Sequence, residues 1–399
     1  MLDSVLNFLS NGITGWSVGT ILIYLLIVTH ITIIAVTVYL HRCQAHRGME
    51  LHASVSHFFR LWLWITTGMT TKEWVAIHRK HHATCETPED PHSPKHYGIR
   101  KLLLQGTELY RAAATRETVE RYGHGTPNDA VERKVYSKHR RAGIVLLLFI
   151  NIALFGALGI SVWAIQMAWI PFWAAGMING TAHYIGYRNF ETPDQSTNIS
   201  PIAFWIGGEE LHNNHHAFPS SAKFSIRWWE FDIGWMYIRL LSFMGLAKVK
   251  RVAPKICLDQ RKDWIDLETL KSLITNRVNV MADYARRVIM PVVKTSQPVE
   301  ESRFSLRRIK RLLTKDHSMM DSRSEHALKE VLDQHEALNT VYRFRINLQQ
   351  IWERAAASHE NLMQALKEWC ALAEASGIKA LQDFARRLRS HSAPVTATT

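Results

Sequence analysis

The residues in this sequence that are best suited to chemistry are histidines set at metal-ligand spacing. The chain contains 21 histidines among 399 residues. Imidazole nitrogens bind zinc, copper, iron and nickel, so such clusters predict a metal centre without choosing its metal. The clustered histidines are His41, His46, His78, His81, His82, His183, His212, His215 and His216.

Two of the clusters share one spacing. The cluster that begins at His78 places histidines at i, i+3 and i+4, which sets three imidazoles on one face of a helix. The cluster that begins at His212 repeats this spacing. Asn179 and His183 stand at i and i+4 and also share one helical face. These residues therefore predict ligands that project together from helices.

His41 and His46 follow a different spacing. Five residues apart, their side chains lie about 140° from each other on a regular α-helix. This spacing suits two ligands to two different metals, or a helix that ends between the two residues. The sequence leaves both interpretations open.

The number of histidines points to more than one ion. Nine imidazoles exceed what one four-coordinate zinc site requires, and they fit two ions that share a histidine cage. Because imidazoles are neutral ligands, the cluster stays cationic and favours anions derived from dioxygen, which argues for redox iron rather than zinc. Metal-bound imidazoles usually donate their other nitrogen to a carboxylate. The candidates close in sequence are Glu73, Asp90, Glu209 and Glu210.

Long apolar runs predict the helices that position this centre. Residues 17–40 carry no charge and match the roughly 20 residues that span a bilayer. Residues 142–187 carry none either and predict a helical hairpin, with spans at about 142–162 and 164–187. The shorter patch at about 52–71 predicts a helix at the membrane interface, with a re-entrant segment as the alternative. His30 lies inside the first run, and a neutral imidazole bonded to a neighbouring helix is expected there.

Charge predicts the orientation. The formal net charge is +13, and the Lys and Arg residues next to the spans lie on the side that carries the histidines. The positive-inside rule then places the histidines in the cytoplasm and the N-terminus outside. The four cysteines form no CxxC pair, which predicts reduced thiols. No cleavable signal peptide is expected, because the first residues lack a basic region.

Together these patterns predict an all-α protein: an integral-membrane helical bundle with a cytoplasmic histidine-cage cap and a C-terminal helical tail. The membrane domain is expected over residues 1–250. A basic cytoplasmic tail, helical by its apolar periodicity, is expected over 251–399. The predicted location is the inner or cell membrane, and no nucleic-acid partner is expected, since the membrane accounts for the basic charge.

Four sequence motifs occur in the same order as in a known enzyme family. They are His41-Arg-(x3)-His46-Arg47; Glu73-Trp74-(x3)-His78-Arg-Lys-His-His82 followed by Asp90-Pro91-His92; Asn179-(x3)-His183 with Gly186-Tyr187-Arg188; and Gly208-Glu-(x2)-His212-Asn-Asn-His-His216-(x2)-Pro219. With these motifs the chain resembles the integral-membrane acyl-CoA desaturases of the stearoyl-CoA type. The resemblance covers about residues 20–250.

The resemblance implies a specific chemistry. In that family the nine box histidines bind two iron ions (Fe2+/Fe3+), and the asparagine, here Asn179, contributes through a water. No catalytic residue separate from the metal centre is implied. The implied reaction is O2-dependent removal of two hydrogens from a saturated acyl chain, giving a cis double bond, with delta-9 acyl-CoA as the expected substrate. The acyl chain is expected in an apolar tunnel beneath the metals, lined in part by tryptophans.

Two features depart from the family pattern. The family usually has four spans with both ends in the cytosol, whereas this sequence predicts three. No fused cytochrome b5 or flavin domain is visible, so electrons are expected from a separate ferredoxin- or cytochrome-type donor with an NAD(P)H reductase. The tail either docks that donor or forms a stabilising bundle.

Three alternative functions follow from the same residues. One is an acyl-phospholipid desaturase, and a second is a histidine-box membrane hydroxylase acting on alkanes, sterols or carotenoids. The third, of a different class, is a metal-binding or transport protein, which predicts several polar ligands along a path through the membrane.

Overall fold

The computed structural model describes residues 2–296, 304–353 and 358–392. Within these residues the protein is mostly helical, as predicted. The chain divides into two compact units. The first comprises Met1–Arg188 with Asp194–Ala253, and the second comprises Asn189–Pro193 with Pro254–Thr399.

The first unit is built from helices joined by short strand pairs. Its α-helices are α1 Leu2–Asn11, α2 Val18–Ile34, α3 Ala53–Thr66, α4 Thr71–Thr84, α5 Pro94–Tyr97, α6 Ile99–Ala113, α7 Arg116–Tyr122, α8 Arg140–Phe155, α9 Leu158–Ile170, α10 His212–Ala217 and α11 Ile233–Phe243. Its π-helices are Ala35–Ala45, Glu132–Tyr136 and Pro171–Ile178, and a 3-10 turn covers Thr181–His183. Its strands are β1 Met49–Leu51, β2 Ile202–Ala203, β3 Phe231–Asp232 and β4 Ala247–Val249.

Two continuous helices are long and apolar enough to cross a membrane. Helix α2 and the π-helix after it form one of them, Val18–Ala45, with 28 residues. Helix α9, the next π-helix and the 3-10 turn form the other, Leu158–His183, with 26 residues. A bilayer core requires about 20 helical residues, and α8 has only 16.

The turn between α8 and α9 lies earlier than the sequence suggested. The expected spans at about 142–162 and 164–187 put the turn near residue 163, but α8 ends at Phe155 and α9 begins at Leu158. The chain turns at Gly156, whose φ is 62° and where a Cβ would lie 2.4 Å from the Leu9 carbonyl oxygen. Only glycine fits this close approach to the N-terminal helix. The Ala157 N–H also donates to that carbonyl.

Helix α2 and its π-helical continuation lie at the centre of the first unit's core. Residues from Ile33 to Cys43 pack with Phe59 and Leu63 of α3 and with Ile238 of α11. Antiparallel pairing of β1 with β4 and parallel pairing of β2 with β3 join the loops around this core. The helices that carry the histidine motifs are thereby held against one another.

In its described residues, the second unit has its own hydrophobic core and one short strand pair. Its elements are β5 Cys257–Leu258, α12 Leu267–Thr275, α13 Arg277–Tyr284, a π-helix Ala285–Ile289, α14 Met290–Thr295, α15 Leu306–Thr314, a 3-10 turn His317–Met319, α16 Ser322–Gln334, α17 Glu336–Glu353, α18 His359–Ala375, α19 Lys379–Arg389 and β6 His391–Ser392. Leu338, Leu366 and Leu388 are fully buried in this core. The predicted helical character of the tail is present in the described residues.

Candidate metal centre

A π-helix brings His41 and His46 to the same place. His41 lies in the π-helix Ala35–Ala45, and His46 follows its last residue. The His46 N–H donates to the His41 carbonyl oxygen five residues earlier, so residues five apart stand nearly in line. Their ring centroids are 5.0 Å apart. Of the two interpretations that the sequence left open, a helix that ends between the two residues is the one observed, since the π-helix ends at Ala45. The two histidines lie in one ligand group, and the angle of about 140° that holds for a regular α-helix does not apply.

Five imidazoles converge in one group, here called the first histidine group. Its members are His41, His46, His78, His82 and His215, and their ligand nitrogens all lie within 4.8 Å of one another. The Nε2 atoms of His46 and His78 are 2.7 Å apart. The Nε2 atom of His215 lies 3.1 Å from that of His41 and 2.9 Å from that of His82.

The second histidine group lies beside the first. His81, His183 and His216 bring their ligand nitrogens within 4.8 Å of one another and of the Cys85 sulfur. His212 joins them, with its Nε2 atom 2.9 Å from that of His183.

Each predicted HxxHH cluster therefore divides between the two groups instead of facing one ion. His81 turns to the second group while its neighbours on α4 face the first. On α10, His215 faces the first group and the other two histidines face the second.

Four buried carboxylates fix the imidazoles by their Nδ1 atoms. Each Nδ1–H donates to one carboxylate oxygen, at 2.7 to 3.1 Å. The pairs are His41 with Glu209, His81 with Asp90, His183 with Glu86 and His216 with Asp194. An imidazole that donates from Nδ1 presents an unprotonated Nε2, which is the form that binds a metal.

The donor geometry fits metal ions. Two nitrogens at about 2.0–2.1 Å from one ion, at right angles, lie about 3 Å apart, and the observed Nε2–Nε2 distances are 2.7 to 3.1 Å. With its Nδ1 proton donated to Glu209, His41 presents a lone pair at Nε2 toward His215. The buried Nε2 atom of His216 has no partner among the described residues. An ion would satisfy these lone pairs.

Burial keeps these imidazoles unprotonated, which is the state that binds a metal cation. Burial and neighbouring imidazoles hold the pKa values of His46, His78 and His82 well below the usual range for histidine. Burial likewise lowers the pKa of His216 to about 4, although Asp194 opposes this shift. These side chains are therefore neutral at pH 7, and protons do not compete for the ligand positions.

The expected supporting carboxylates are only partly those observed. Asp90 and Glu209 contact imidazoles, whereas Glu73 pairs with Arg140 at 3.2 Å. Glu210 accepts hydrogen bonds from two backbone N–H groups, at positions 205 and 206. Their side chains are engaged elsewhere because Glu73 lies on the first turn of α4 and Glu210 closes a tight loop.

Sequence reasoning missed Glu86, Asp194 and His92. Glu86 lies four residues after His82, and Asp194 lies six residues after Arg188. Acidic residues a short distance past each motif were therefore the available sequence signal. His92 stacks on His81 with ring centroids 4.2 Å apart. With His81 and Asp90 it forms a further set of potential ligands.

Asn179 and His183 do not lie on a regular helix. Asn179 follows the π-helix Pro171–Ile178, and His183 lies in a 3-10 turn. Asn179 lines the cavity described next, together with His41, His78 and His212.

A cavity of about 580 Å3 extends from the histidines into the first unit. Its wall is mostly apolar and includes Val36, Ile77, Leu102, Met167 and Ile178. Four tryptophans were expected to line such a tunnel, namely Trp62, Trp64, Trp74 and Trp205. Trp74 does so, whereas the other three do not, and Trp205 is exposed. Trp163 and Trp173 also line the cavity.

Polar groups mark two other parts of this cavity. Gln166 lines it, and its Oε1 accepts a hydrogen bond from Asn151, which also bonds Tyr24. Three arginines, Arg111, Arg140 and Arg141, line another part of the wall. The cavity thus joins metal-ligand groups, an apolar wall and a cationic region.

The second unit matches a family model described as a transposase, over residues 274–399. This match covers less than a third of the chain. That coverage does not show that the chain belongs to that family.

The first unit matches the family model described as fatty acid desaturase, over residues 15–240. The chain is 30% identical over 227 residues to the sn-1 stearoyl-lipid 9-desaturase of Anabaena variabilis, covering 56% of this chain and 80% of that protein. It is 30% identical to the Delta-9 acyl-lipid desaturase 1 of Arabidopsis thaliana, covering 54% and 70%. It is 32% identical to the icosanoyl-CoA 5-desaturase of Limnanthes douglasii, covering 54% and 60%. With the family model matching more than half of its length, the chain belongs to the fatty acid desaturase family.

Proposed function

We propose that this enzyme uses O2 to desaturate a saturated fatty acyl chain to a cis-monounsaturated chain, at two iron ions. The observation that carries the proposal is the position of two histidine groups at one end of a mostly apolar cavity. The family implies a di-iron centre, and the imidazole donors fit it. Five histidines of the first group would hold one ion, and His81, His183, His212 and His216 the other, with Asn179 reaching it through a water.

The reaction balances with an external reductant. Two hydrogens leave adjacent CH2 groups, two electrons and two protons come from the donor, and O2 is reduced to two waters. The bound iron would supply the oxidant that an unactivated C–H bond requires. The apolar wall excludes water and holds the chain beneath the histidines. The carboxylates that accept the Nδ1 protons keep the imidazoles oriented.

We infer that acyl-CoA, oxidised at the delta-9 position, is the substrate, with acyl-phospholipid as the alternative. The named relatives act on acyl lipids and on acyl-CoA, at positions 9 and 5. Arg111, Arg140 and Arg141 along the cavity would pair with phosphates, and both substrate types carry them. The depth of the cavity, rather than this cationic region, would set the oxidised carbon.

We infer that a separate ferredoxin- or cytochrome-type protein, reduced by an NAD(P)H reductase, supplies the electrons. The family membership supports the need for such a donor, because the proposed reaction consumes two electrons. Donor docking and a stabilising bundle stay the two hypotheses for the second unit.

Two apolar helices and the family indicate membrane association. We propose the inner or cell membrane with the histidines on the cytoplasmic side. The hydrogen bond from Ala157 to Leu9 supports this orientation, because it puts the N-terminal helix beside the α8–α9 turn. Both then lie on the side opposite the histidines, as the positive-inside rule requires.

The test is expression in a host that cannot make unsaturated fatty acids, with double-bond positions read from lipid and acyl-CoA pools. A cis-monounsaturated product, first labelled in the CoA pool, is expected. His81→Ala is the matched variant and should abolish the product. An oxygenated product would instead identify a hydroxylase, and desaturation that survives in His81→Ala would reject the proposed centre.

A further inference from the structure

The first unit exposes a continuous aromatic surface that the proposed chemistry does not use. We define the aromatic surface as Ile202, Phe204, Trp205, Trp228, Trp229, Phe231 and the exposed side of α11. Trp228 is 95% exposed and Trp205 is 69% exposed. Soluble surfaces rarely gather so many large apolar side chains, and such patches mark interaction sites.

Local contacts hold this surface together. Ile202 pairs with Phe231 in the β2–β3 ladder, and the Phe204 ring lies 5.3 Å from that of Trp205. Phe231 leads directly into α11, whose first turn is capped by Asp232. The aromatic residues and α11 are therefore parts of one surface.

The exposed side of α11 carries a row of apolar side chains with one arginine among them. Met236, Leu240 and Phe243 stand at i, i+4 and i+7 and share one face, with Phe243 90% exposed. Arg239 lies on the same face, is exposed and has no acidic partner among the described residues. A long cationic side chain within an apolar stripe suits a surface whose apolar layer is bordered by phosphates, because the guanidinium can extend to them.

This surface begins where the exposed apolar stripe of α2 ends. Leu22, Ile23, Leu26 and Ile27 are 53–60% exposed on α2, as expected for residues that face lipid. One turn later, His30 is covered instead: its Nε2 bonds the Tyr237 hydroxyl of α11 at 3.0 Å, and its ring stacks on Phe204. Helix α11 therefore starts at the edge of the lipid-facing stripe.

Helix length places this contact inside the membrane. His30 lies twelve residues past Val18, or about 18 Å along the helix axis, while the hydrocarbon core is about 30 Å thick. If the core begins near Val18, His30 and Tyr237 lie within its inner half, and the exposed side of α11 is within reach of the acyl chains.

We propose that the aromatic surface is a membrane-contact surface, with the exposed side of α11, including Phe243, among the acyl chains of the inner half of the bilayer. The proposal rests on the proposed membrane placement of Val18–Ala45. Tryptophans at the headgroup level and an interfacial amphipathic helix are the usual forms of such contact. If the partner were a protein, the aromatic surface would not need to adjoin the exposed apolar residues of α2.

The experiment measures the depth of single nitroxide labels on the full chain in lipid nanodiscs. Cysteines are introduced as Phe243→Cys on α11, Ile23→Cys on α2 and Glu117→Cys on α7, with the labelled parent chain as background for the native thiols. Collisions with O2, which enters lipid, are compared with collisions with a neutral nickel chelate, which stays in water. Because Phe243 is almost fully exposed, the substitution leaves the core intact.

The label at 243 is expected to resemble that at 23, with high O2 and low nickel accessibility, while the label at 117 shows the reverse. A 243 label as accessible to nickel as the 117 label would overturn the proposal. Low accessibility to both reagents would also overturn it, since a protein surface would then cover α11. If the label at 23 itself behaved as water-exposed, the membrane placement of the first helix would fail instead.

Discussion

Arg42 and Asp232 form a fully buried two-point ion pair beside the first histidine group. The Nη1 and Nη2 atoms of Arg42 lie 3.0 and 2.9 Å from the two carboxylate oxygens, and neither side chain is exposed. Arg42 also donates to the Ala222 and Gly207 carbonyl oxygens and stacks on the Phe224 ring. The residue directly after His41 thus connects the end of the π-helix to the start of α11.

Removing the charge of Asp232 should destabilise the protein strongly. In Asp232→Asn the guanidinium stays buried without its counter-charge, and we expect a loss of about 3–5 kcal/mol. Thermal unfolding of the detergent-solubilised protein measures this. The matched control is Glu120→Gln, which breaks the exposed pair with Arg116 and should cost under about 1 kcal/mol. Equal losses of unfolding free energy in the two variants would show that the buried Arg42–Asp232 pair contributes no more to stability than an exposed pair.

Neutralising the carboxylates behind the imidazoles should weaken metal binding. Glu86→Gln and Asp194→Asn keep the side-chain size but remove the charge that orients His183 and His216. We expect iron to be lost to a chelator at about 10–100-fold lower chelator concentration. Glu73→Gln is the control, because Glu73 contacts Arg140 and no imidazole in the described residues. Unchanged iron retention in all three variants would contradict the assigned role.

Cys85 tests whether the second group uses sulfur. Its sulfur lies 3.9 Å from the Nε2 atom of His81, but burial, with Asp194, Asp90 and Glu86 nearby, raises the pKa of the thiol. Because a protonated thiol is a poor ligand, we expect Cys85→Ser to retain two ions per chain. Cobalt-substituted protein should show no sulfur-to-metal charge-transfer band. Such a band, lost in Cys85→Ser, would make the sulfur a ligand.

Gln166 should limit the length of the acyl chain that fits. It lies thirteen residues before Asn179 on the helix that continues into the π-helix Pro171–Ile178, and the Asn151 side-chain amide donates to it at 3.0 Å. Gln166→Ala enlarges this part of the cavity, so product analysis with a mixture of acyl chains should shift toward longer substrates. Gln166→Met, of similar volume, is the control. An unchanged chain-length distribution in Gln166→Ala would place the end of the chain elsewhere.

The sequence was most informative where a residue type carries its own chemistry. The nine histidines were identified from spacing alone, and the structure brings all nine into two adjacent groups. Asp90 and Glu209 were expected behind them. His30 was expected to bond a neighbouring helix, and it contacts Tyr237 of α11.

The missed features depend on backbone geometry that spacing does not reveal. Counting residues on a regular helix left open whether His41 and His46 serve one ion or two, because a π-helix has no simple sequence signal. The α8–α9 turn was placed too late, since the uncharged stretch hides a boundary that only the close approach of Gly156 to Leu9 defines. Glu86 and Asp194 were missed because supporting carboxylates are chosen by spatial proximity, not by sequence distance from a ligand.

The π-helix Ala35–Ala45 also makes the chain intolerant of length changes. Deleting one residue between His41 and His46 would let a regular α-helix form, with better backbone hydrogen bonds. The two imidazoles would then be four residues apart and displaced from the histidines of α4 with which they form the first histidine group. Inserting one would rotate His46 by about 100°. Natural variation in this segment should therefore occur by substitution alone, and the count of residues between the two histidines should be fixed even where their neighbours differ.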